Sequence, residues 1–442
     1  MEISILKRKM KKLWKDTFHD SDDYISIVFD NYFDPNWIEY HLEGDEVISA
    51  LIGIPYTYSN GKAQIQGLYL CGLATKEQYR HKGLMVDLIE RINKRAKENG
   101  IAFTFLIPAN DMLRIFYQNH GYINGLYRVE ERYTNIHNFE KDCMSIIKHE
   151  EERIKELKKS LYRDISVNFY DKIDVDIESD NTATSVISKD ILKDIVAYIR
   201  NNEEEAKQYA EMQHTKKDIE ATIRDLFISG GCFFISKNSE DHISGVAYVN
   251  FDEKRNIVIP KIYYNDYCSY YKLLDRINSR YPESSLLIYR FPEETHRYAI
   301  WSKVYGAANP NGGMLGGAYG MAERVYNASL YSIPYGMVRL LNLYEILIFL
   351  SKDRRDLKFS ILVKEENSDK NTSTLYRLNK GEVKINEIPN ENIQSEAKDH
   401  NLTILNFKDL AEIILRKKDG NSLIMEAFGI PRLALNMALL LD

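Results

Sequence analysis

Residues 73–85 read LATKEQYRHKGLM, and this stretch decides how the first part of the chain is interpreted. An apolar strand pattern ends here, the chain turns through Arg80, His81, Lys82 and Gly83, and an amphipathic helix pattern begins at once. The N–H groups at a helix N-terminus bind anions, and a glycine lets a phosphate come close to the backbone. Because potentially cationic side chains surround these groups, the stretch predicts a pyrophosphate site.

Strand and helix patterns lie on both sides of this turn. EVISALIGIPYTY and AQIQGLYLCGLAT predict two strands joined by a hairpin turn at Asn60-Gly61. Apolar residues recur every four positions from Leu84 to Ala96, which predicts a helix that ends at Asn99-Gly100. IAFTFLI at 101–107 predicts a strand buried on both faces, and Asp111–Asn119 predicts another helix. Strands that feed a helix and return to a strand indicate an α/β fold.

The composition of the 442 residues excludes several classes of protein. Hydrophobic residues make up 44% of the chain, with only 10 Pro and 22 Gly, which is typical of globular domains and excludes disordered or fibrous chains. The net charge of −6 gives no general indication of a nucleic-acid or membrane partner. The longest apolar run, residues 340–350, contains Glu345 and is too short to span a bilayer. With no signal-peptide pattern at the start, we expect a cytoplasmic protein.

Established phosphate and metal motifs are absent from the sequence. The turn before Leu84 matches neither GxxxxGK[ST] nor GxGxxG, which excludes a Walker loop and a dinucleotide fingerprint. The four cysteines lie far apart without CxxC, and the ten histidines form no HExxH. We therefore expect no metal site, and we interpret the cysteines as reduced, buried thiols.

The order of these elements resembles the GNAT acetyltransferase superfamily. Its acyl-coenzyme A signature, Arg/Gln-x-x-Gly-x-Gly/Ala, reads Arg80-x-x-Gly83-x-Met85 here, with Met in place of the final small residue. Downstream, Asn110 stands seven residues before Tyr117 and ahead of a Gly-aromatic pair, an arrangement common in GNAT members. The resemblance implies a GNAT fold with acetyl-coenzyme A as the acyl donor.

Acyl transfer to an amine needs a neutral attacking amine, donors for an oxyanion and an acid for the departing thiolate. The resemblance implies that the backbone of Leu73, Ala74 and Thr75 contacts the pantetheine arm and the thioester. It also implies that Asn110 contacts the pantetheine arm and that Tyr117 protonates the thiolate. The residues expected at the pyrophosphate are Arg80, His81, Lys82, Gly83, Leu84 and Met85.

At ~150 residues per domain, the chain length predicts two to three domains. The N-terminal region and the third region resemble acetyltransferases of the enhanced-intracellular-survival (Eis) type, which join a GNAT domain, a second GNAT-like domain and a sterol-carrier-protein-like domain. The implied class is α/β (α+β), with tandem GNAT-like mixed sheets. The implied boundaries are a catalytic GNAT domain at 1–144, a degenerate GNAT-like domain at 145–325 and a sterol-carrier-protein-like α+β domain at 326–442.

The second and third regions carry fewer motifs. The turn at 264–269 lacks RxxG, so we expect no coenzyme site in the second region. The glycine-rich run 312–320 is interpreted as a flexible interdomain loop instead of a phosphate loop. The charges of 145–163 predict a solvated connecting helix, and the apolar pattern of 336–350 predicts another helix.

The general base and the acceptor side are less well defined. In Eis-type enzymes the base is the terminal carboxylate, which the resemblance implies is that of Asp442 here. The apolar run 439–441 could guide this tail, and the alternative is a chain end without a role. The three aspartates of DSDD (20–23) could line an acidic substrate pocket, although capping of a helix that begins at Tyr24 is favoured.

The favoured function is an N-acetyltransferase that acts on a primary amine of a cationic small molecule, such as an aminoglycoside-like compound, or of a lysine-like substrate. The resemblance also implies a homo-oligomer, which is a hexamer in the family. One alternative is a tandem-GNAT aminoacyltransferase that uses charged tRNA, although the Arg80–Gly83 turn argues against it. Another is a lipid- or sterol-binding, or acyl-coenzyme A-binding, protein without catalytic activity.

Overall fold

The computed structural model describes residues 2–173, 186–205, 207, 209–292, 333–352, 356–364, 372–395, 403–415 and 433–437. Helices and mixed β-sheets alternate along these residues, which confirms the predicted α/β class. They form two compact units. Unit 1 comprises Met1–Tyr127, Glu204–Gln213 and Pro334–Met437, and unit 2 comprises Arg128–Glu203 and His214–Ile333. The finer division into three domains stays a prediction.

The first 133 residues alternate helices and strands. The elements are α1 (Ile3–Phe18), α2 (Asp22–Tyr32), β1 (Ile38–Glu43), β2 (Glu46–Ser59), β3 (Gln64–Thr75), α3 (Leu84–Glu98), β4 (Phe103–Leu106), α4 (Asp111–Gln118) and β5 (Ile123–Tyr133). The strands and helices predicted around the turn at Arg80–Gly83 are thus present, with ends that differ by a few residues.

The middle of the chain continues in the same way. The elements up to β9 are α5 (Phe139–Ile147), α6 (Glu152–Asp164), β6 (Ser166–Tyr170), β7 (Lys172–Ile173), β8 (Val186–Ile187), α7 (Lys189–Glu204) and β9 (Ala210–Gln213). They are followed by α8 (Lys216–Ile228), β10 (Cys232–Lys237), β11 (Ile243–Phe251), β12 (Ile257–Tyr264), α9 (Tyr267–Arg280) and β13 (Leu286–Arg290).

The described C-terminal segments form a further group of elements. They are β14 (Ile333–Leu340), α10 (Leu343–Ser351), β15 (Lys358–Lys364), β16 (Thr372–Asn379), β17 (Glu382–Pro389), β18 (Thr403–Asn406), α11 (Phe407–Ile414) and β19 (Leu435–Asn436). Strands β17, β16, β15 and β18 form a separate four-stranded sheet in this order. Within the described part of the chain, no helix is both long enough and apolar enough to cross a bilayer.

The main sheet of unit 1 is centred on the hairpin of β2 and β3. The strand order is β19-β9-β2-β3-β4-β14, with β1 also paired to β2. The Asn60 side chain accepts hydrogen bonds from the N–H groups of Lys62 and Ala63, and Gly61 has a φ of 82°, so the predicted hairpin turn is confirmed. Helix α3 buries Leu88 against this sheet, as its apolar spacing predicts.

The helix predicted at 336–350 is wrong in its first half. Residues from Ile333 to Leu340 form strand β14, which pairs antiparallel with β4, and the helix begins only at Leu343. The Asn342 side chain caps this helix by accepting a hydrogen bond from the N–H of Glu345. A continuous apolar run does not distinguish a buried strand from a buried helix, because both exclude polar residues.

The single helix predicted at 145–163 is two helices in unit 2. Helix α5 ends at Ile147 and buries Phe139 and Cys143, whereas α6 begins at Glu152. In α6 only Tyr162 is buried, which confirms the solvated character that the charges predict. Helices α5 and α9 pack in one apolar core of unit 2, and α7 and α8 pack in a second core.

The sheet of unit 2 has the strand order β5-β13-β12-β11-β10-β6.

The buried carboxylate of Glu203 connects the two chain positions on either side of residues 204–213. Glu203 accepts hydrogen bonds from the backbone N–H of His214 at 2.8 Å and from the Tyr263 hydroxyl at 2.7 Å, and it also contacts the His214 ring.

Candidate active site

The turn before helix α3 has an open, left-handed backbone. His81 and Gly83 have φ angles of 61° and 77°, and Gly83 is the N-cap residue of α3. A Cβ atom added to Gly83 would meet no heavy atom within 4 Å, so the space beside the helix N-terminus is open. No side chain among the described residues caps α3, which makes its first-turn N–H groups available to a ligand. This geometry suits an anion.

The side chains of the turn surround that space. Arg80, His81 and Lys82 are exposed, which leaves them accessible to a charged ligand. The Arg80 Nε donates a hydrogen bond to the Thr75 carbonyl at 3.1 Å, which ties the turn to the end of β3. The Lys82 Nζ lies 4.8 Å from the centre of the Tyr79 ring. The predicted pyrophosphate residues are therefore together in one exposed turn.

Met85 occupies the position where the GNAT signature has a small residue. Its side chain is half-buried and packs against the apolar cluster of Leu88, Tyr117 and neighbouring core residues. The side chain therefore contributes to the core of unit 1, and the helix start keeps its open backbone. The same cluster also receives Leu73 from β3.

Strand β3 contains a bulge next to the turn. Ile52 of β2 is opposite Cys71, whereas Ala50 is opposite Ala74, so two residues of β3 face the single residue Leu51. The two bulged residues are Gly72 and Leu73, and Gly72 has a left-handed φ of 60°. The bulge bends β3 immediately before the backbone of Leu73, Ala74 and Thr75, which the sequence predicts to contact the acyl donor.

Strands β3 and β4 pair over a short length only. Their parallel register runs from Gly67 opposite Phe103 to Tyr69 opposite Phe105, and β4 ends at Leu106 while β3 continues to Thr75. Among the described residues, the β4 side of the last part of β3 therefore has no strand partner. Backbone groups on that side are positioned to bind an extended ligand instead of a neighbouring strand.

Helix α4 carries the two other predicted residues, one at each end. The Asn110 side chain caps the helix by accepting a hydrogen bond from the N–H of Leu113 at 2.9 Å. Tyr117 is buried in the apolar cluster, and its ring contacts Phe116 and Tyr122. Burial, with a smaller effect of Tyr122, raises the pKa of Tyr117 well above its usual range. A phenol holds its proton at neutral pH, as a general acid must.

Two features of this site were not predicted from sequence. Arg339 of β14 binds Glu90 of α3 through both guanidinium nitrogens, at 2.6 and 3.0 Å, and donates to the carbonyl of His120 at 3.2 Å. It thus joins α3 to the turn after α4. The second feature is the contact of Trp14 with the bulge at Gly72. A glycine inside a strand pattern is a recognised sign of a bulge and could have indicated the position of Gly72.

The aspartates at 20–23 are not themselves the cap of a helix. Helix α2 begins at Asp22, and its N-cap is Ser21, whose hydroxyl accepts a hydrogen bond from the N–H of Tyr24. Asp22 and Asp23 lie in the first turn, where negative charge is favourable. Asp22 also pairs with Lys15 at 2.6 Å, and Asp20 accepts a hydrogen bond from the Trp14 indole.

Other predictions concern residues that the structure does not describe. The glycine-rich run 312–320, Leu439–Leu441 and Asp442 lie outside the described residues, so their predicted roles stay predictions. In the part of the chain that is described, no group of three or more His, Cys, Asp or Glu side chains could hold a metal ion.

A family comparison identifies the part of the chain that carries this site. Residues 7–124 match the family model for the acetyltransferase (GNAT) domain. This segment is a GNAT acetyltransferase domain. The protein is therefore an acyltransferase, as the turn and its surrounding elements predict. GNAT domains use acetyl-coenzyme A as acyl donor and an amine as acceptor. A comparison with curated protein sequences found no significant match.

Solved structures with similar folds cover almost the whole chain. A conserved protein of unknown function from Enterococcus faecalis V583, a probable N-acyltransferase, is 12% identical with a TM-score of 0.62, covering 99% of this chain and 96% of that chain. A GCN5-related N-acetyltransferase from Kribbella flavida is 11% identical with a TM-score of 0.57, covering 94% and 87%. Eis1 from Mycobacterium abscessus is 8% identical with a TM-score of 0.56, covering 96% and 90%. At these identities the likeness concerns the fold alone.

Proposed function

We propose that this acyltransferase is an N-acetyltransferase that moves the acetyl group of acetyl-coenzyme A to a primary amine of a cationic small molecule or a lysine-like substrate. The observation that carries the proposal is the combination of the β3 bulge, the short β3–β4 pairing and the uncapped start of α3 in one place. An extended ligand with a pyrophosphate at one end fits this arrangement. Acetyl-coenzyme A supplies the activated thioester.

In this proposal, different residues of the GNAT domain bind the coenzyme, orient its pantetheine arm and protonate the leaving thiolate. The turn from Arg80 to Met85 binds the pyrophosphate through backbone N–H groups and positive charge. The backbone from Leu73 to Thr75 and the start of α4 at Asn110 orient the pantetheine arm. Tyr117 is a phenol that is protonated at neutral pH, and it gives this proton to the departing thiolate.

The carboxylate of Asp442 is the proposed general base. The direction of the described tail supports it: β19 runs parallel to β9, and β9 runs antiparallel to β2 from Ser59 toward Thr57. The chain therefore leaves Met437 in the direction of the bulged end of β2 and β3.

The start of this tail is anchored within unit 1. The Asn436 side chain donates to both carboxylate oxygens of Glu211 at 3.0 Å, and the Tyr335 hydroxyl donates to the Met437 carbonyl at 3.0 Å. These contacts hold the start of the tail on the sheet that contains β3.

The remaining parts of the proposal rest on the Eis-type resemblance. They are a cationic, aminoglycoside-like acceptor, a homo-oligomeric and possible hexameric assembly, a cytoplasmic location and a sterol-carrier-protein-like C-terminal domain. The tRNA-dependent aminoacyltransferase is less well supported, because such proteins lack a coenzyme site and the Arg80–Gly83 turn is open. A lipid-binding protein without catalytic activity is an outcome that the experiments below distinguish.

The proposal is tested by calorimetric titration of acetyl-coenzyme A, followed by a thiol-release assay with polyamines, aminoglycosides and lysine peptides. We expect one site per chain with micromolar affinity, about −8 kcal/mol. Tyr117→Phe should lower kcat by roughly 10²-fold or more and leave acetyl-coenzyme A affinity unchanged. Tyr127→Phe, which removes a hydroxyl bonded to the Asn124 carbonyl, is the control. Absence of acetyl-coenzyme A binding, with a lipid recovered from the purified protein, would support the lipid-binding alternative.

The role of Asp442 has its own test. Deletion of Asp442 removes its side chain and shifts the terminal carboxylate by one position, whereas Asp442→Asn removes only the side-chain charge. If a carboxylate at this position is the base, the deletion should lower kcat on the acidic side of the pH profile and leave acetyl-coenzyme A binding intact. A deletion variant with the wild-type pH profile would remove Asp442 from the mechanism.

A further inference from the structure

The bulge in β3 is in direct contact with one aromatic side chain. A Cβ atom added to Gly72 would lie 2.0 Å from Cζ3 of Trp14, 2.5 Å from Cε3 and 2.9 Å from Cη2. These distances are far below van der Waals contact, so the indole ring occupies the space where any other residue would place its side chain. Gly72 also needs its left-handed φ of 60° to form the bulge.

The indole ring itself is held in one orientation. Trp14 is only 6% exposed, and its Nε1 donates a hydrogen bond to Asp20 Oδ2 at 2.7 Å. Its ring has edge contacts with Phe18 and Phe29, with ring centres 5.4 and 5.7 Å apart. Contacts from α1, α2 and the loop between them therefore fix the surface against which the bulge is formed.

We propose that Trp14, oriented by Asp20, is a positioning residue for acetyl transfer: it fixes the bulge at Gly72 and thereby the backbone donors of Leu73 and Ala74. The inference rests on the proposed function, in which these donors bind the acyl donor. A bulge without a rigid neighbour can relax by shifting its two bulged residues. Misplacement of reacting groups by about 1 Å can reduce rates by 10²-fold.

The contact differs from ordinary core packing in its location. Helix α1 also buries Leu6, Met10 and Leu13, but the ring at position 14 is the one that occupies the missing side-chain volume of Gly72. Substitutions at Leu6 and at Trp14 should both destabilise the protein, whereas only the second should alter the bulge. Leu6→Ala is therefore a matched control on the same helix.

The experiment compares wild type, Trp14→Leu and Leu6→Ala by thermal unfolding, hydrogen–deuterium exchange of the peptide 68–76 and calorimetric binding of acetyl-coenzyme A. We expect faster exchange in 68–76 and about tenfold or greater loss of affinity for Trp14→Leu only. The reference peptide 243–251 should exchange equally in all three proteins. Asp20→Asn, which keeps an acceptor oxygen, should behave as wild type, and Asp20→Leu should resemble Trp14→Leu.

Two results would overturn the inference. One is an exchange rate of 68–76 in Trp14→Leu equal to that in Leu6→Ala, and the other is unchanged acetyl-coenzyme A affinity. If wild type does not bind acetyl-coenzyme A, the proposed function fails, and the exchange of 68–76 still decides whether Trp14 fixes the bulge. If Trp14→Leu does not fold, the pair Asp20→Leu and Asp20→Asn decides the question by the same measurements.

Discussion

Arg339 and Glu90 form a bidentate ion pair although 249 residues separate them in sequence. Arg339 lies on β14, which pairs with β4, and Glu90 lies on α3 behind the proposed pyrophosphate turn. The same guanidinium binds the His120 carbonyl after α4. A strand from the C-terminal part of the chain therefore supports both helices that carry the predicted catalytic and coenzyme-binding residues.

Loss of this ion pair should reduce activity more than stability. Both side chains are partly exposed, so Arg339→Gln should lower the free energy of unfolding by only about 1 kcal/mol. Because α3 and α4 would lose a common anchor, kcat/KM should fall by roughly tenfold. A double-mutant cycle with Glu90→Gln, measured by kinetics and urea unfolding, tests the coupling. Additive effects of the two substitutions would contradict the role of the pair.

Gly83 and Gly100 offer a matched pair of substitutions at opposite ends of α3. Their φ angles are 77° and 78°, and a Cβ atom at either position would meet no heavy atom within 4 Å. Alanine should therefore cost a similar free energy of unfolding at both, about 1 kcal/mol. Only Gly83→Ala should weaken acetyl-coenzyme A binding in calorimetry. Equal affinity in both variants would show that the turn does not bind the pyrophosphate.

Substitutions at Gly72 and Trp14 should have coupled effects on stability, because the indole ring occupies the space beside Gly72. Gly72→Ala introduces both backbone strain and a 2.0 Å overlap with the indole, so it should destabilise the protein by more than Gly83→Ala does. The double variant Gly72→Ala/Trp14→Ala removes the overlap and should be more stable than the sum of the single effects predicts. Urea unfolding of the four proteins measures this, and strict additivity would refute the contact.

Buried tyrosines should make stability sensitive to alkaline pH. Burial raises the pKa of Tyr117, and also that of Tyr122, above the value of about 10 that they have when the chain is unfolded. The folded state therefore holds protons that the unfolded state releases, and the free energy of unfolding should fall as the pH rises above about 10. Tyr117→Phe should reduce this slope between about pH 10 and pH 11, and an unchanged slope in urea unfolding would contradict the shift.

The local parts of the site could be predicted because local interactions determine them. The turn at Arg80–Gly83, the amphipathic α3 and the helix from Asp111 follow from glycine placement and apolar periodicity within short windows. The helix predicted at 336–350 was only half correct, because a strand that is buried beside β4 and a buried helix have the same hydrophobic pattern. Its strand half is decided by a partner more than 200 residues away.

By itself, the sequence determined the α/β class, the turn at Arg80–Gly83 that is proposed to bind the pyrophosphate, and the candidate acid Tyr117. The tertiary structure decided that Trp14 occupies the space beside Gly72 and that Arg339 reaches Glu90. The physical reason is that a helix start or a tight turn depends on the conformational preferences of adjacent residues. A bulge in contact with an indole ring, or an ion pair between distant segments, depends on packing that exists only once the sheet has formed.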